Sequence, residues 1–321
     1  MTERQLVADT IRFNNNDRTP YDLPEKYGTD FYFVNMTPSP DNRPSGKGIH
    51  IDEWGAVWEN VGICDLGEVK EFPLHDWKDF DKLNIPDIKD TKRWKILESI
   101  REKAGDKFLL GVGISIYERV HFLRGLENTW MDIYLEPEKL GRLIDELVEM
   151  NLYTIEKYAK AGVDGLIFYD DWGLQNRLMI SPDKWRRIWK PRYKRIYEAA
   201  HKHNIFTFLH SCGYIVDILD DLIEIGLDVL HTDQQENMGL ELLGRRFAGR
   251  ITFFSSADIQ TVMVNNAPDK IREYCQNMFK FLGKPHGGFI PRWYTDPFGA
   301  GQSQQALDTM CEEFVSLSKN K

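Results

Sequence analysis

The sequence predicts an α/β protein, a (β/α)8 TIM-type barrel with an N-terminal irregular and helical cap. Three observations predict it. Short runs that are apolar on both faces alternate with amphipathic stretches of helical period, the pattern of parallel strands covered by helices. Six or seven such units follow one another in a single series, which suits a closed barrel better than an open sheet. Polar side chains gather directly after the apolar runs, where a barrel's C-terminal face collects its functional groups. These are Tyr117-Glu-Arg119, Asp170-Asp171, His210 with Cys212, Asp233-Gln-Gln235, Ser256 with Asp258, and Arg292 to Asp296. An open doubly wound sheet also places polar residues there and remains the alternative.

Residues 1–90 are expected to form a cap packed on the barrel, residues 91–321 the barrel body, and the whole one structural domain. In the cap, Met1 to Arg12 is polar and amphipathic, and Thr37 to Gly48 is a long loop by its Pro, Gly and Ser content. Asp52 to Trp58 and Gly67 to Pro73 are short strands of a hairpin-like unit. From Thr91 to Gly105 the pattern is helical, and Phe108 to Gly113 is the first apolar run. A long helix starts near Pro137, with Leu140, Leu143, Ile144, Leu147 and Tyr158 as its stripe, and Gly162 closes it. Gly165 to Tyr169 is a buried strand, and Ser181-Pro182 is an N-cap and first-turn pair for the next helix. The remaining strands are Ile205–Leu209, Asp228–Thr232, Ile251–Phe254 and Gly288–Pro291. Helices at Tyr214–Ile225, Leu240–Phe247, Pro268–Leu282 and Gln302–Ser318 separate and follow them.

Of the 321 residues, 42% are hydrophobic and 28% charged, enough apolar material for a core and too much for general disorder. The net charge of -9 argues against nucleic acid or an anionic membrane as the main partner. No apolar run reaches the ~18 residues that span a bilayer, and the N-terminal stretch lacks the apolar segment of a secretory signal. The four cysteines, Cys64, Cys212, Cys275 and Cys311, form no disulfide framework, so a reducing cytoplasm is expected. A homodimer is compatible with the chain but not written in it.

The sharpest local feature is His210-Ser-Cys-Gly213. On a strand, residues two apart point to one face, so an imidazole and a thiol converge at the barrel mouth as a soft divalent ion requires. The competing reading is a buried cysteine packed as a small hydrophobe beside a histidine bonded to a carbonyl. A third ligand is expected from the next strand end, His231-Thr-Asp233, where Asp233 and His231 share a face and both stay open as ligands. Asp171 and Glu118 are candidate acid/base groups. Trp172, Trp293 and Tyr294 are candidates to stack on an aromatic substrate, and Gln235 and Arg292 to anchor a substrate carboxylate. Each also has a structural reading, as a loop cap, an ion-pair partner or cover for the barrel top.

Taken together these stretches resemble the uroporphyrinogen decarboxylase superfamily. Besides His210-Ser-Cys-Gly213, the resemblance is carried by Asp17-Arg-Thr-Pro20 and by Glu118 with Leu123-Arg-Gly-Leu-Glu-Asn128. It continues in Asp170-Asp-Trp-Gly-Leu-Gln175, Ile180-Ser-Pro182, Pro191 and Gly287-Gly-Phe-Ile290. It implies a (β/α)8 barrel. True uroporphyrinogen decarboxylases carry an arginine-rich N-terminal segment, and no such run stands here. The zinc methyltransferase branch uses H-x-C, a carboxylate twenty-odd residues later and a second cysteine late in the barrel. His210, Cys212 and Asp233 match the first three, with Asp where that branch has Glu. The late strand, Gly288 to Pro297, has no cysteine. One thiolate leaves a cation more electrophilic than two do, suited to an oxygen atom rather than a thiol.

The resemblance therefore implies a Zn2+-dependent methyltransferase that moves a methyl group between a small-molecule donor or acceptor and a corrinoid. The chain has no D-x-H-x-x-G cobalamin signature, so the corrinoid is expected on a separate partner protein. The missing cysteine and the three aromatics point to O-demethylation of a methoxylated aromatic. The alternative is a cofactor-free decarboxylase of a small cyclic carboxylic acid.

Overall fold

The computed structural model describes residues 1–44, 46–62 and 67–319; Cys64 and part of the Thr37–Gly48 loop lie outside the described residues. The chain opens with helix α1 (Glu3–Ile11), whose N-cap Thr2 accepts a hydrogen bond from the Gln5 amide. Strand β1 (Phe31–Val34) follows, then β2 (Gly48–Ile51), β3 (Val57–Asn60) and β4 (Glu68–Glu71). The regular alternation then begins with α2 (Ile100–Ala104), β5 (Phe108–Val112), α3 (Glu118–Arg124), α4 (Leu126–Leu135), α5 (Pro137–Lys160) and β6 (Gly165–Tyr169). It continues through α6 (Pro182–Ile188), α7 (Lys190–Lys202), β7 (Phe206–His210), α8 (Val216–Glu224), β8 (Val229–His231) and α9 (Leu240–Phe247). It ends with β9 (Thr252–Ser255), α10 (Pro268–Leu282), β10 (Phe289–Pro291) and α11 (Gln304–Lys319).

Seven strands pair in parallel in the order β1-β5-β6-β7-β8-β9-β10, so each new strand adds beside the last and the sheet curls as a barrel does. The eighth position is taken by one extended residue rather than a strand. The Asp22 amide donates to the Pro291 carbonyl at 2.9 Å and the Trp293 amide to the Asp22 carbonyl at 3.0 Å, while the Asp30 amide reaches the Tyr21 carbonyl. This bridge connects β10 to the start of β1.

The first strand therefore lies inside residues 1–90, which the sequence assigned to a cap: β1 pairs with β5 over Phe31↔Phe108 to Val34↔Gly111. Its four residues are too few to show a period. The expected helix from Thr91 to Gly105 is a 3-10 turn over Thr91–Leu97 and then α2, broken at Ser99, which sits at φ +56°. The expected hairpin-like unit is found in part: β4 falls within Gly67–Pro73, but residues 52–56 are the turn between β2 and β3 rather than a strand, and β2, β3 and β4 make an antiparallel sheet.

Inward-facing Phe31, Phe108, Leu110, Ile167, Phe208, Val229, Phe254 and Ile290 fill the barrel, and Val7 and Ile11 of α1 join the same cluster. Because β5 starts at Phe108 and α1 packs on it, α1 seals the end of the barrel opposite the strand C-termini. The helices form the outer layer, where the α5 stripe Leu140, Leu143, Ile144, Leu147 and Tyr158 is fully buried. No helix among the described residues is long and apolar enough to cross a membrane.

Candidate active site at the barrel mouth

Strand alternation decides which side chains reach the mouth. Along β6 and its exit, Tyr169 and Asp171 line a cavity of about 870 Å3; along β7, His210 and Cys212 do; along β8, His231 and Asp233 do. The cavity is completed by Arg292, Trp293 and Tyr294 after β10 and by Asp22, Asp41 and Arg43 from the N-terminal segment. The intervening residues point away. Asp170 is fully buried and accepts backbone hydrogen bonds from Ile116, Tyr117 and Glu118, and one from the Tyr193 hydroxyl at 2.7 Å. Burial pushes its carboxyl up to about 7, against the pull of these four donors.

The loops after β6 and β7 are locked together without side-chain thickness between them. The Gly173 amide donates to the Cys212 carbonyl at 3.2 Å and the Tyr214 amide to the Leu174 carbonyl at 2.8 Å. A Cβ on Gly173 would stand 2.6 Å from that carbonyl oxygen and 2.4 Å from the Tyr214 nitrogen, so only glycine fits. The lock carries Asp171 to the thiol: the Cys212 amide donates to Asp171 Oδ1 at 2.8 Å.

Among the described residues two groups of ligand-type side chains result, sharing His210: Asp171–His210–Cys212 and His210–His231–Asp233. In the first, His210 Nε2 lies 3.4 Å from Cys212 Sγ and 3.5 Å from Asp171 Oδ1. Both separations match edges of a small tetrahedron: metal–nitrogen and metal–oxygen bonds of about 2.0–2.1 Å and a metal–sulfur bond of about 2.3 Å give edges of about 3.3–3.6 Å. One imidazole, one thiol and one carboxylate thus fit a tetrahedral divalent cation with an open position. Without a cation, burial and the Asp171 carboxylate push the Cys212 thiol far above its ordinary value. A cation between them reverses that balance.

The expected His210–Cys212–Asp233 set is not gathered as one group among the described residues: Asp171 groups with His210 and Cys212, and Asp233 with His210 and His231. Asp233 turns to His231, whose Nε2 lies 3.1 Å from its Oδ2, and to the Ser256 hydroxyl at 2.9 Å from its Oδ1. His231 Nδ1 lies 3.1 Å from His210 Nδ1. Arg292 Nη1, a donor only, abuts His231 Nε2 and competes for its lone pair, whereas the tautomer that satisfies Asp233 puts the proton on Nε2 and leaves Nδ1 to accept from His210 Nδ1–H. The His210 Nε2 lone pair is then left facing Cys212 and Asp171, as a metal-binding histidine held by an outer partner does. Burial and Arg292, whose Nη1 abuts the His231 ring, hold His231 down to about 3. Burial alone would raise the Asp233 carboxyl, but His231 and Arg292 outweigh it and hold it well below the usual range.

The other expected residues divide. Trp293, Tyr294 and Arg292 line the cavity. Trp172 does not: it is buried behind the wall, stacked on Tyr117 at 3.6 Å, with its indole N–H on the Tyr193 hydroxyl. Gln235 is buried under the turn after β8, its amide on the Ser256 carbonyl, and its neighbour Gln234 lines the cavity instead. Glu118 opens α3 and pairs with Arg43 at 3.5 Å, outside the cavity lining. Tyr169, Asp41 and Arg43 were not singled out. The period of two that links His210 to Cys212 also links Tyr169 to Asp171, and it sends Asp170 and Trp172 to the other face. Asp41 and Arg43 had no signal, because they come from an irregular loop.

Three comparisons show what the chain is similar to. A family model described as uroporphyrinogen decarboxylase (URO-D) matches residues 66–291, more than two thirds of the chain. A uroporphyrinogen decarboxylase of Citrifermentans bemidjiense is 27% identical over 109 residues, an alignment that spans 33% of this chain and 30% of that protein. Among solved structures, a methyltransferase from Methanosarcina mazei superposes with a TM-score of 0.70 at 16% identity, covering 98% of this chain and 99% of that one. That likeness concerns the fold.

Proposed function

The chain belongs to the uroporphyrinogen decarboxylase family, and on that premise we propose that it is a zinc-dependent methyltransferase. Its substrate on this reading is a small methoxylated aromatic, and the methyl group passes to a corrinoid carried by a separate protein. The observation that carries the reading is the Asp171–His210–Cys212 cluster, with tetrahedral-edge separations, at the wall of a cavity of small-molecule size. A zinc ion held by these three residues supplies Lewis acidity at an ether oxygen, and its single thiolate keeps it electrophilic.

The chain's own groups supply the rest. Trp293, Tyr294 and Phe33 offer apolar surface for an aromatic ring. Burial raises the Tyr294 hydroxyl to about 12, so it stays protonated and can donate to an aryl oxygen as negative charge develops there. A phenolate is a poor leaving group in water, so this donor and the enclosure of the cavity are where the chain lowers the barrier. A reducing cytoplasm suits both the Cys212 thiolate and a reduced corrinoid.

The test supplies zinc-loaded protein with reduced corrinoid protein and a panel of aryl methyl ethers, methylamines and thiols, and follows the cobalt spectrum. Methylcobalamin formation from an aryl ether is expected. Activity confined to amines or thiols overturns the substrate class. Release of carbon dioxide from a small cyclic acid by the metal-free protein replaces the reading with decarboxylation.

A further inference from the structure

The small antiparallel sheet carries an open edge. β2 is its outer strand, paired only with β3 among the described residues, and its isoleucines stand in solvent, Ile49 73% and Ile51 70% exposed. Edge strands are normally blunted by a proline, a charge or a bulge. Gly48-Ile-His-Ile51 has no proline and no Lys, Arg, Asp or Glu, and its register with β3 is unbroken.

The turn that joins β2 to β3 fixes which backbone groups face outward. The Asp52 amide donates to the Ala56 carbonyl at 3.1 Å, and Gly55, at φ +91°, donates to the Asp52 carbonyl at 3.0 Å. Asp52 and Ala56 are therefore a hydrogen-bonded pair, and such pairs alternate along antiparallel strands. His50 with Trp58 is the next one, so Ile49 and Ile51 turn their N–H and C=O groups away from β3. No described residue outside the sheet meets these groups.

We propose that β2 pairs antiparallel with β2 of a second copy of this chain, about a two-fold axis at His50. The edge is self-complementary there, as a two-fold contact requires. The axis sets Ile49 opposite the second copy's Ile51, and Ile51 opposite its Ile49. Every outward N–H and C=O of these residues is then met, and the exposed isoleucines of both copies pack across the seam on one face. His50 falls opposite itself in a pair without hydrogen bonds. Lys47, exposed and without an ion pair among the described residues, comes opposite the second copy's Glu53, whose carboxylate is still partly exposed beside Arg93. A four-residue strand makes a small contact, so the dimer is reversible and belongs with weak complexes. The pairing also bears on the cavity. β2 follows the loop that brings Asp41 and Arg43 to its wall, and Arg119 ties Asp41 to Asp52 at the other end of the strand. The paired strand thus braces that wall in both copies, whatever the methyl donor is.

Sedimentation velocity of the full chain from about 1 to about 200 µM should show monomer passing to dimer. Ile51→Pro removes one outward N–H and leaves the ladder to β3 whole, and it should weaken association about tenfold or more. Ile49→Lys, which places a charge on the seam, should do the same. Far-ultraviolet circular dichroism and urea unfolding show that both variants keep the fold. His50→Cys tests the register. Exposed to air, it should form a disulfide-linked dimer well above the background that the parent's own cysteines set, and Ile49→Cys should not. A monomer throughout the concentration range overturns the proposal, and so do variants that associate as the parent does. An Ile49→Cys protein that links more readily than His50→Cys overturns the axis at His50.

Discussion

At the scale of single residues the site turns on which carboxylate faces the thiol. Asp171 is tied to the Cys212 amide and lies 3.5 Å from His210 Nε2, whereas Asp233 acts through His231. Cys212→Ser should abolish high-affinity zinc binding, since a hydroxyl does not ionise at neutral pH and is a poor replacement for a thiolate. Asp171→Asn should weaken zinc more than Asp233→Asn, whose loss of an outer partner is worth about 10–100-fold. Competition against a chromophoric chelator reads both. Unchanged zinc stoichiometry in the serine variant removes the metal assignment, and the reverse order of the two asparagine variants returns the ligand role to Asp233.

At the scale of elements, the geometry of the cluster depends on two strand exits pressed backbone to backbone. Neither β6 nor β7 could hold Asp171 against Cys212 alone, because both residues lie beyond the last strand hydrogen bonds. The lock between Gly173 and Gly213 does it, with Gly213 at φ +73°. Gly173→Ala should cost about 2 kcal/mol or more of stability, because the contacts it violates are backbone atoms that cannot rotate aside. It should also lower zinc affinity by displacing Cys212. Urea unfolding and the chelator titration are the measurements, and a variant as stable and as zinc-avid as the parent would show that the loops have slack.

The whole molecule places its charged site over a dry core. α1 closes one end of the barrel with Val7 and Ile11, and the buried His231 and Asp233 stand just above Phe254. This layering has a consequence for acid stability. His231 is held down to about 3 from an ordinary 6.5, chiefly by burial. The unfolded chain therefore takes up a proton that the folded one refuses. Stability from this residue is complete above about pH 6.5 and falls as the pH drops toward 3, at up to about 1.4 kcal/mol per pH unit. Moving the metal-free protein from about pH 7 to about pH 5 should cost on the order of 1–2 kcal/mol, and His231→Gln should remove most of that difference. Urea unfolding at the two pH values decides it; an equal slope in both proteins would mean that other groups set the acid limit.

The order of strands from Phe108 onward, and of helices from Pro137 onward, was legible in the sequence because it is written locally. Each apolar run such as Gly165–Tyr169 and each stripe such as Leu140–Leu147 carries its own period, and parallel topology follows from their alternation. His210 and Cys212 were legible for the same reason, being two apart on one strand. The third member of the cluster was not, since Asp171 and Asp233 stand at equivalent strand exits and nothing in the spacing ranks them. Tertiary structure decided between them: the glycine contact of two loops brought Asp171 to the thiol, and the buried histidine drew Asp233 away. Arg43 and the Asp22 bridge belong to the same class. Both come from irregular backbone whose position is set by long-range hydrogen bonds and ion pairs, and such contacts leave no period in the chain.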